Sequence, residues 1–303
     1  MPKYSVPRQI WRVIYPTLIF IAIPLVFNVM AGAIYGISLV FSNGGTMPDT
    51  ATIMEQAQQW ALDYGLLFVF IGDLLCLAPF LPIWTRTRKK MQMYEGASSA
   101  LKTTICVLFT FFGFSIILGA IISITGFDKL FSYELVETIL ASGNTVFRIL
   151  SLLIAAPLIE ELCFRGIVLN RLLSWTKIWV AIIIQAALFG LAHLNVVQGV
   201  YAFVVGVAMG FIYCRYRKLW LCMVAHFAFN LPSLVFEFID VGDSDITAVG
   251  WIIIGAGAVI AIACAFFLSR LPAATPVAKE REVLLTDEQI VDSGDETLLP
   301  PTP

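Results

Sequence analysis

Six polar side chains stand where hydrocarbon would be expected. Glu160 and Glu161 are adjacent, with Arg165 following, inside a stretch that is otherwise apolar from Val146 to Leu169. A charge at the centre of a membrane helix costs about 3 kcal/mol or more, so such residues face the bundle interior and serve function. Neighbouring positions on a helix point about 100° apart. Glu161 and Arg165, four apart, share a face and can pair, whereas Glu160 faces a different neighbour. The expectation is a structural acid held by an arginine beside a chemical acid held by nothing in its own helix. The chain's two histidines, His193 and His226, fall in the next apolar segments, and Asn230 follows His226 by one helical turn. Carboxylates and imidazoles brought together in this way can move protons or bind a metal.

The elements that carry these residues follow from composition. The 303 residues are 59% hydrophobic and 13% charged, against about 45–50% and about 25% in soluble domains. That excess leaves too little polar surface for a water-soluble fold, and no basic stripe suggests nucleic acid as a partner. A spanning helix needs about 20 apolar residues. That template predicts eight spans, near Pro16–Phe41, Leu62–Trp84, Thr103–Thr125, Val146–Leu169, Ile178–His193, Val197–Cys214, Leu219–Phe238 and Val249–Leu268, the fifth and sixth short. The first is too long for a signal-peptide core and reads as a retained span. The predicted fold class is an all-α membrane protein, a bundle of eight transmembrane helices forming one domain over 1–270, with its motif-bearing core at about 146–238.

Loop charges set the expected orientation. Lys3, Arg8, Arg12, Arg86, Arg88, Lys89, Lys90, Lys102, Arg165, Arg171, Lys177, Arg215, Arg217, Lys218 and Arg270 fall in one phase of the alternation; Lys129 and Arg148 fall in the other. Basic loops resist translocation, which places both termini in the cytoplasm. From Leu271 onward two basic and seven acidic side chains give a net −5, and 271–303 reads as an acidic disordered tail. The six cysteines lie in apolar stretches without a C-x-x-C pair, so neither a disulfide framework nor a thiolate zinc site is expected. Asp73, inside the second span, reads as an interhelical hydrogen-bonding residue or a cavity lining, and Asn195 as a cap on the helix end just before it or a residue assisting the site. Pro157 should leave the Leu153 carbonyl without its helical partner and kink the helix beside Glu160.

Three of these segments carry a family resemblance. Glu160-Glu161-Leu-Cys-Phe-Arg165 is similar to the E-E-x-x-x-R motif of the CAAX prenyl protease and bacteriocin-processing (CPBP) family of intramembrane endopeptidases, which includes Abi-like proteins. Phe189-Gly-Leu-Ala-His193 resembles its F-x-x-x-H motif, and His226-Phe-Ala-Phe-Asn230 its final H-x-x-x-N motif. The motifs occur in the family's order on successive helices, over roughly 151–231. The resemblance implies a hydrolase that cuts a peptide bond near the cytoplasmic side of the membrane, with a peptide or lipid-modified peptide as substrate and the bilayer as surroundings.

Hydrolysis of a peptide bond needs an activated water, donors for the oxyanion, and a proton for the leaving amine. In that scheme Glu160 is the base, His193 holds the same water, His226 and Asn230 donate to the oxyanion, and Glu161 with Arg165 supports the site. A second scheme is a zinc site with Glu160, His193 and His226 as candidate ligands, and the sequence does not choose between them. Two other classes stay open: a non-catalytic bacteriocin immunity or scaffold protein, and a proton-coupled transporter using the paired acids as a relay. Straight upright helices place His193 too far toward the opposite face to meet Glu160, so convergence requires the fifth helix to tilt or start deeper.

Overall fold

The computed structural model describes residues 5–46, 48–91, 94–95, 100–129, 138, 144–238 and 248–277. These residues form an all-α membrane protein. The first helix, α1 (Val6–Ser42), runs well past the predicted start because Pro7 is accommodated in its first turn, where a missing N–H costs nothing. The next, α2 (Thr50–Leu75), begins twelve residues before the apolar stretch. Its cap is Asp49, whose carboxylate accepts from the Thr52 N–H (3.0 Å) and hydroxyl (2.6 Å), contacts that hold it below the usual carboxylate range. After a break at Cys76 the rod continues as α3 (Leu77–Arg88), and α4 spans Ala100–Thr125.

The predicted fourth span is one continuous rod of varying winding. It comprises α5 (Thr145–Ile149), a π-helical segment Leu150–Ala155, α6 (Ala156–Glu161), a second π-helical segment Leu162–Leu169, and α7 (Asn170–Leu173). It is followed by α8 (Ile178–Ala192), α9 (Val196–Tyr216), α10 (Leu219–Phe238) and α11 (Ala248–Arg270). Helical structure therefore occurs at each predicted span. Five helical stretches among the described residues are long and apolar enough to cross a membrane, α9 among them, while α8 and the apolar part of α10 are shorter. At 1.5 Å per residue, the 15 residues of α8 give about 22 Å, less than the roughly 30 Å hydrocarbon core.

The acid-bearing rod is the centre of the bundle. Every residue from Leu162 to Leu169 is buried, enclosed by α1, α3, α8, α9 and α10. The outer helices are exposed along lipid-suited faces, for example Val29, Ile34, Ile252 and Phe267. Helix pairs are drawn together at small residues, as expected where lipid removes the hydrophobic drive for association. Gly190 of α8 faces Gly199 of α9 so closely that a Cβ on Gly190 would lie 2.5 Å from the Gly199 carbonyl. Residues 271–277, the start of the expected tail, are seated. Ala274 donates its N–H to the Arg215 carbonyl (2.9 Å), and a two-residue strand β2 (Thr275–Pro276) pairs antiparallel with β1 (Tyr94–Glu95). Residues 278–303 lie outside the described residues.

Candidate active site

The site is assembled on the boundary between α6 and the π-helical segment after it. Glu161, fully buried, accepts from Arg165 Nη1 through Oε1 at 2.7 Å. The expected i,i+4 pair is therefore present although the helix is π-wound from Leu162. Arg165, also fully buried, is fixed from two further directions. Its Nη2 reaches the carbonyl of Gly206 in α9 at 3.4 Å, and its guanidinium carbon stands 4.6 Å from the centre of the Phe189 ring of α8. A side chain on Gly206 would meet Ala186 and Phe189 at 3.1–3.2 Å, so the small residue lets α9 approach.

The same Glu161 oxygen also meets His226, whose Nδ1 lies 2.9 Å away. With the proton on Nδ1 donated to Glu161, the ring is held in one orientation. Nε2 then points to Glu160, 3.7 Å from its Oε2. That separation exceeds a hydrogen bond and suits an intervening small group. Glu160 has 13% of its side chain exposed, and its Oε2 is buried without a protein hydrogen-bond partner. The expected contrast between a held acid and a free one is thus seen in the geometry. Sequence reasoning missed that the held acid also orients a histidine; residue spacing within one helix carries no signal for a bond across 65 positions.

Asn230 lies one turn beyond His226, and its Nδ2 donates to the Leu152 carbonyl at 2.8 Å. The winding explains this bond. In the first π-helical segment the Ala156 N–H bonds to the Ser151 carbonyl, an i→i+5 spacing. One residue on, the same spacing pairs Leu152 with Pro157, which has no N–H. The Leu152 carbonyl therefore has no donor at that spacing, and Asn230 supplies one. An amide nitrogen has two hydrogens, so one donor of Asn230 is committed to the neighbouring helix.

His193 follows the last residue of α8 and is half-buried, its Nδ1 2.8 Å from the Phe189 carbonyl. That contact fixes the Nδ1–H tautomer and leaves Nε2 as a lone-pair donor. Both imidazoles pack edge-to-face on one ring, Phe189, with centroids 4.9 Å (His193) and 6.1 Å (His226) away. Phe189 also meets Phe164 at 5.0 Å. The last turn of α8 thus lies level with residues 164–165, which removes the depth mismatch expected for straight helices. The structure brings Glu160, Glu161, Arg165 and His226 into direct proximity and sets His193 against the same Phe189 ring that His226 meets. The chain then reverses sharply through Leu194, at φ 55°, into α9. Asn195 caps that following helix by accepting from the Gln198 N–H at 3.1 Å.

Two residues were undervalued in the sequence. Phe189 was read only as the first position of a motif, and it is the platform shared by Arg165 and both histidines. Asp73 of α2 is buried and close enough to Glu160 for their charges to interact. Among the described residues no hydrogen bond to its carboxylate is found, so it is an additional acid at the site rather than the expected interhelical link. Among the described residues no three His, Cys, Asp or Glu side chains are grouped to hold a metal ion. Glu160, His193 and His226 do not form a ligand set here, and Glu161 Oε1 is already shared by Arg165 and His226.

Residues 142–232 match the family model described as Type II CAAX prenyl endopeptidase Rce1-like. The chain is 25% identical over 245 residues to the Bacillus subtilis (strain 168) protein named "Putative membrane peptidase YdiL", an alignment covering 76% of this chain and 89% of that protein. No solved structure matches. The matched segment contains all three motifs, and the resemblance to the CPBP family drawn from them stands.

Proposed function

We propose that this chain is an intramembrane endopeptidase of the CAAX type, cutting a peptide or lipid-modified peptide near the cytoplasmic side of the membrane. The observation that carries the reading is the pairing of an uncompensated carboxylate with an oriented imidazole. Glu160 Oε2 has no protein hydrogen bond and stands 3.7 Å from Nε2 of a histidine that Glu161 and Arg165 hold in place.

In the proposed reaction Glu160 takes a proton from water as its oxygen adds to the scissile carbonyl carbon. The carbonyl π electrons move to oxygen, forming a tetrahedral oxyanion. His226, protonated on both ring nitrogens, donates through Nε2 to that oxyanion together with the second N–H of Asn230, a role worth about 10²–10³ in rate per donor. The C–N bond then breaks, and the proton taken by Glu160 passes to the leaving amine. His193 Nε2 accepts a hydrogen bond from the same water. Each of these steps uses only side chains of the chain. Residues 1–270 act as one membrane domain, with both termini in the cytoplasm.

The test is turnover of a fluorogenic farnesylated peptide by purified full-length protein in proteoliposomes. Glu160→Gln is expected to abolish cleavage while eluting and melting like the parent. Cleavage by Glu160→Gln at the parental rate would sink the proposal.

A further inference from the structure

We infer that the basic end of the bundle binds an anionic phospholipid. Its phosphate sits among Arg8, Arg12, Arg86, Lys90 and Arg171, and its acyl chain lies along the Trp11–Ala22 face of α1. The structure has two neighbouring cavities there, and both are remote from the paired acids. One, of about 220 Å³, is lined among the described residues by Arg8, Arg12, Arg86, Thr87, Lys90 and Arg171, five of which are cationic. The other, of about 480 Å³, is lined by Trp11, Tyr15, Leu18, Ile19 and Ala22, all from α1 and nearly all apolar.

Residue spacing joins the two. Arg8, Arg12, Tyr15, Ile19 and Ala22 follow one another at intervals of four, three, four and three, which is a single stripe on a helix. Over those positions α1 rises about 21 Å, enough for a headgroup and most of one leaflet of a hydrocarbon core about 30 Å thick. The stripe changes from cationic to apolar along its length, as a phospholipid does. Trp11, largely exposed at the junction, suits the headgroup level.

The wall of the cationic cavity is built rather than incidental. Arg171 is more than nine-tenths buried. One nitrogen of its guanidinium bonds the Arg12 carbonyl and the other the Tyr15 hydroxyl at 2.8 Å, and the group lies 4.9 Å from the Tyr15 ring centre. Its Nε is buried with no protein partner. Tyr15 therefore lines the second cavity and holds, by its hydroxyl, the arginine that lines the first. A soluble anion would use the cationic cavity alone, whereas a phospholipid uses both.

Native mass spectrometry of the full-length protein in detergent, titrated with dioleoyl-phosphatidylglycerol or dioleoyl-phosphatidylcholine, compares two lipids with identical tails. The anionic lipid is expected to be retained about tenfold more strongly. Arg86→Gln with Lys90→Gln, both at exposed positions, should abolish that preference without changing elution or melting temperature. Leu18→Gln should weaken retention of both lipids while leaving unchanged any thermal shift produced by inorganic phosphate alone. Equal retention of the two lipids by the parent protein, or an undiminished preference in the double variant, would overturn the inference. Stabilisation by inorganic phosphate as strong as that by the lipid would also overturn it, and would assign the cavity to a soluble anion. Peptide cleavage plays no part in these readouts, so they stand apart from the proposed activity.

Discussion

Glutamine at position 160 keeps the size of the side chain and deletes the charge. The parent carboxylate has one oxygen buried without a protein partner, so the substitution removes a desolvation cost and no protein hydrogen bond to that atom. Folded yield should be unchanged while cleavage falls to background. Glutamine at position 161 acts on a different neighbourhood, because one oxygen there serves both Arg165 and His226. Loss of its charge leaves a fully buried guanidinium uncompensated, a change of about 3 kcal/mol or more. Glu161→Gln and Arg165→Ala should both lower the melting temperature as well as the rate. Thermal unfolding in detergent beside single-turnover cleavage separates the two outcomes. A stable, inactive Glu161→Gln with an active Glu160→Gln would reverse the roles. The Glu161–Arg165 pair was legible in the sequence because it depends on i,i+4 spacing alone. The His226 bond and the Phe189 platform were not, since both depend on which helices meet.

At the scale of the element, the helix before the paired acids is π-wound immediately ahead of Pro157. Sequence reasoning found Pro157 and its missing donor, but assumed α spacing and so did not find the Leu152 carbonyl that Asn230 meets. Winding depends on how α2 and α10 pack against the segment, which no single-helix pattern records. The Asn230–Leu152 bond gives a test by double-mutant cycle. Asn230→Ala should cost about 1 kcal/mol by leaving a half-buried carbonyl unpaired. In a Pro157→Ala background residue 157 regains an N–H at the required i→i+5 position, and the same substitution should cost less than about half as much. Equal costs in the two backgrounds would show that the proline and the asparagine are unrelated. The α8–α9 hairpin makes a parallel case. Gly190→Ala forces a Cβ to within 2.5 Å of the Gly199 carbonyl, so the helices must separate, at about 1–3 kcal/mol. His193, three residues on, moves with that turn. The rate loss should therefore exceed that of Gly199→Ala, whose contact is looser at 3.0 Å.

For the whole molecule, the eight apolar stretches were legible because burial in lipid demands long uninterrupted hydrophobic runs, and helical structure is found at every one of them. Their ends were less so. The α2 rod starts early because an aspartate cap, not hydrophobicity, sets where it begins, and α9 is longer than its apolar window because Asn195 and the left-handed Arg217 set its limits. Orientation rests on charge. Arg86 and Arg88 stand in the last turn of α3 and Lys89 and Lys90 follow it, Arg171 ends the acid-bearing rod, Arg215 and Arg217 end α9, and Arg270 ends α11. The turn after α1, by contrast, has Asn43, Gly44, Gly45 and Thr46 with no cation. Retention of basic loops on the cytoplasmic side predicts a definite pattern of access. In a background with all six cysteines replaced, Thr46→Cys should react with a membrane-impermeant maleimide added outside intact cells. Thr85→Cys, at the exposed basic end of α3, should react only after the cells are opened. Reversal of the two patterns would place the basic end, and the phospholipid site proposed there, in the outer leaflet. Labelling of both positions from outside would mean that the α2–α3 rod does not cross the membrane as a continuous element.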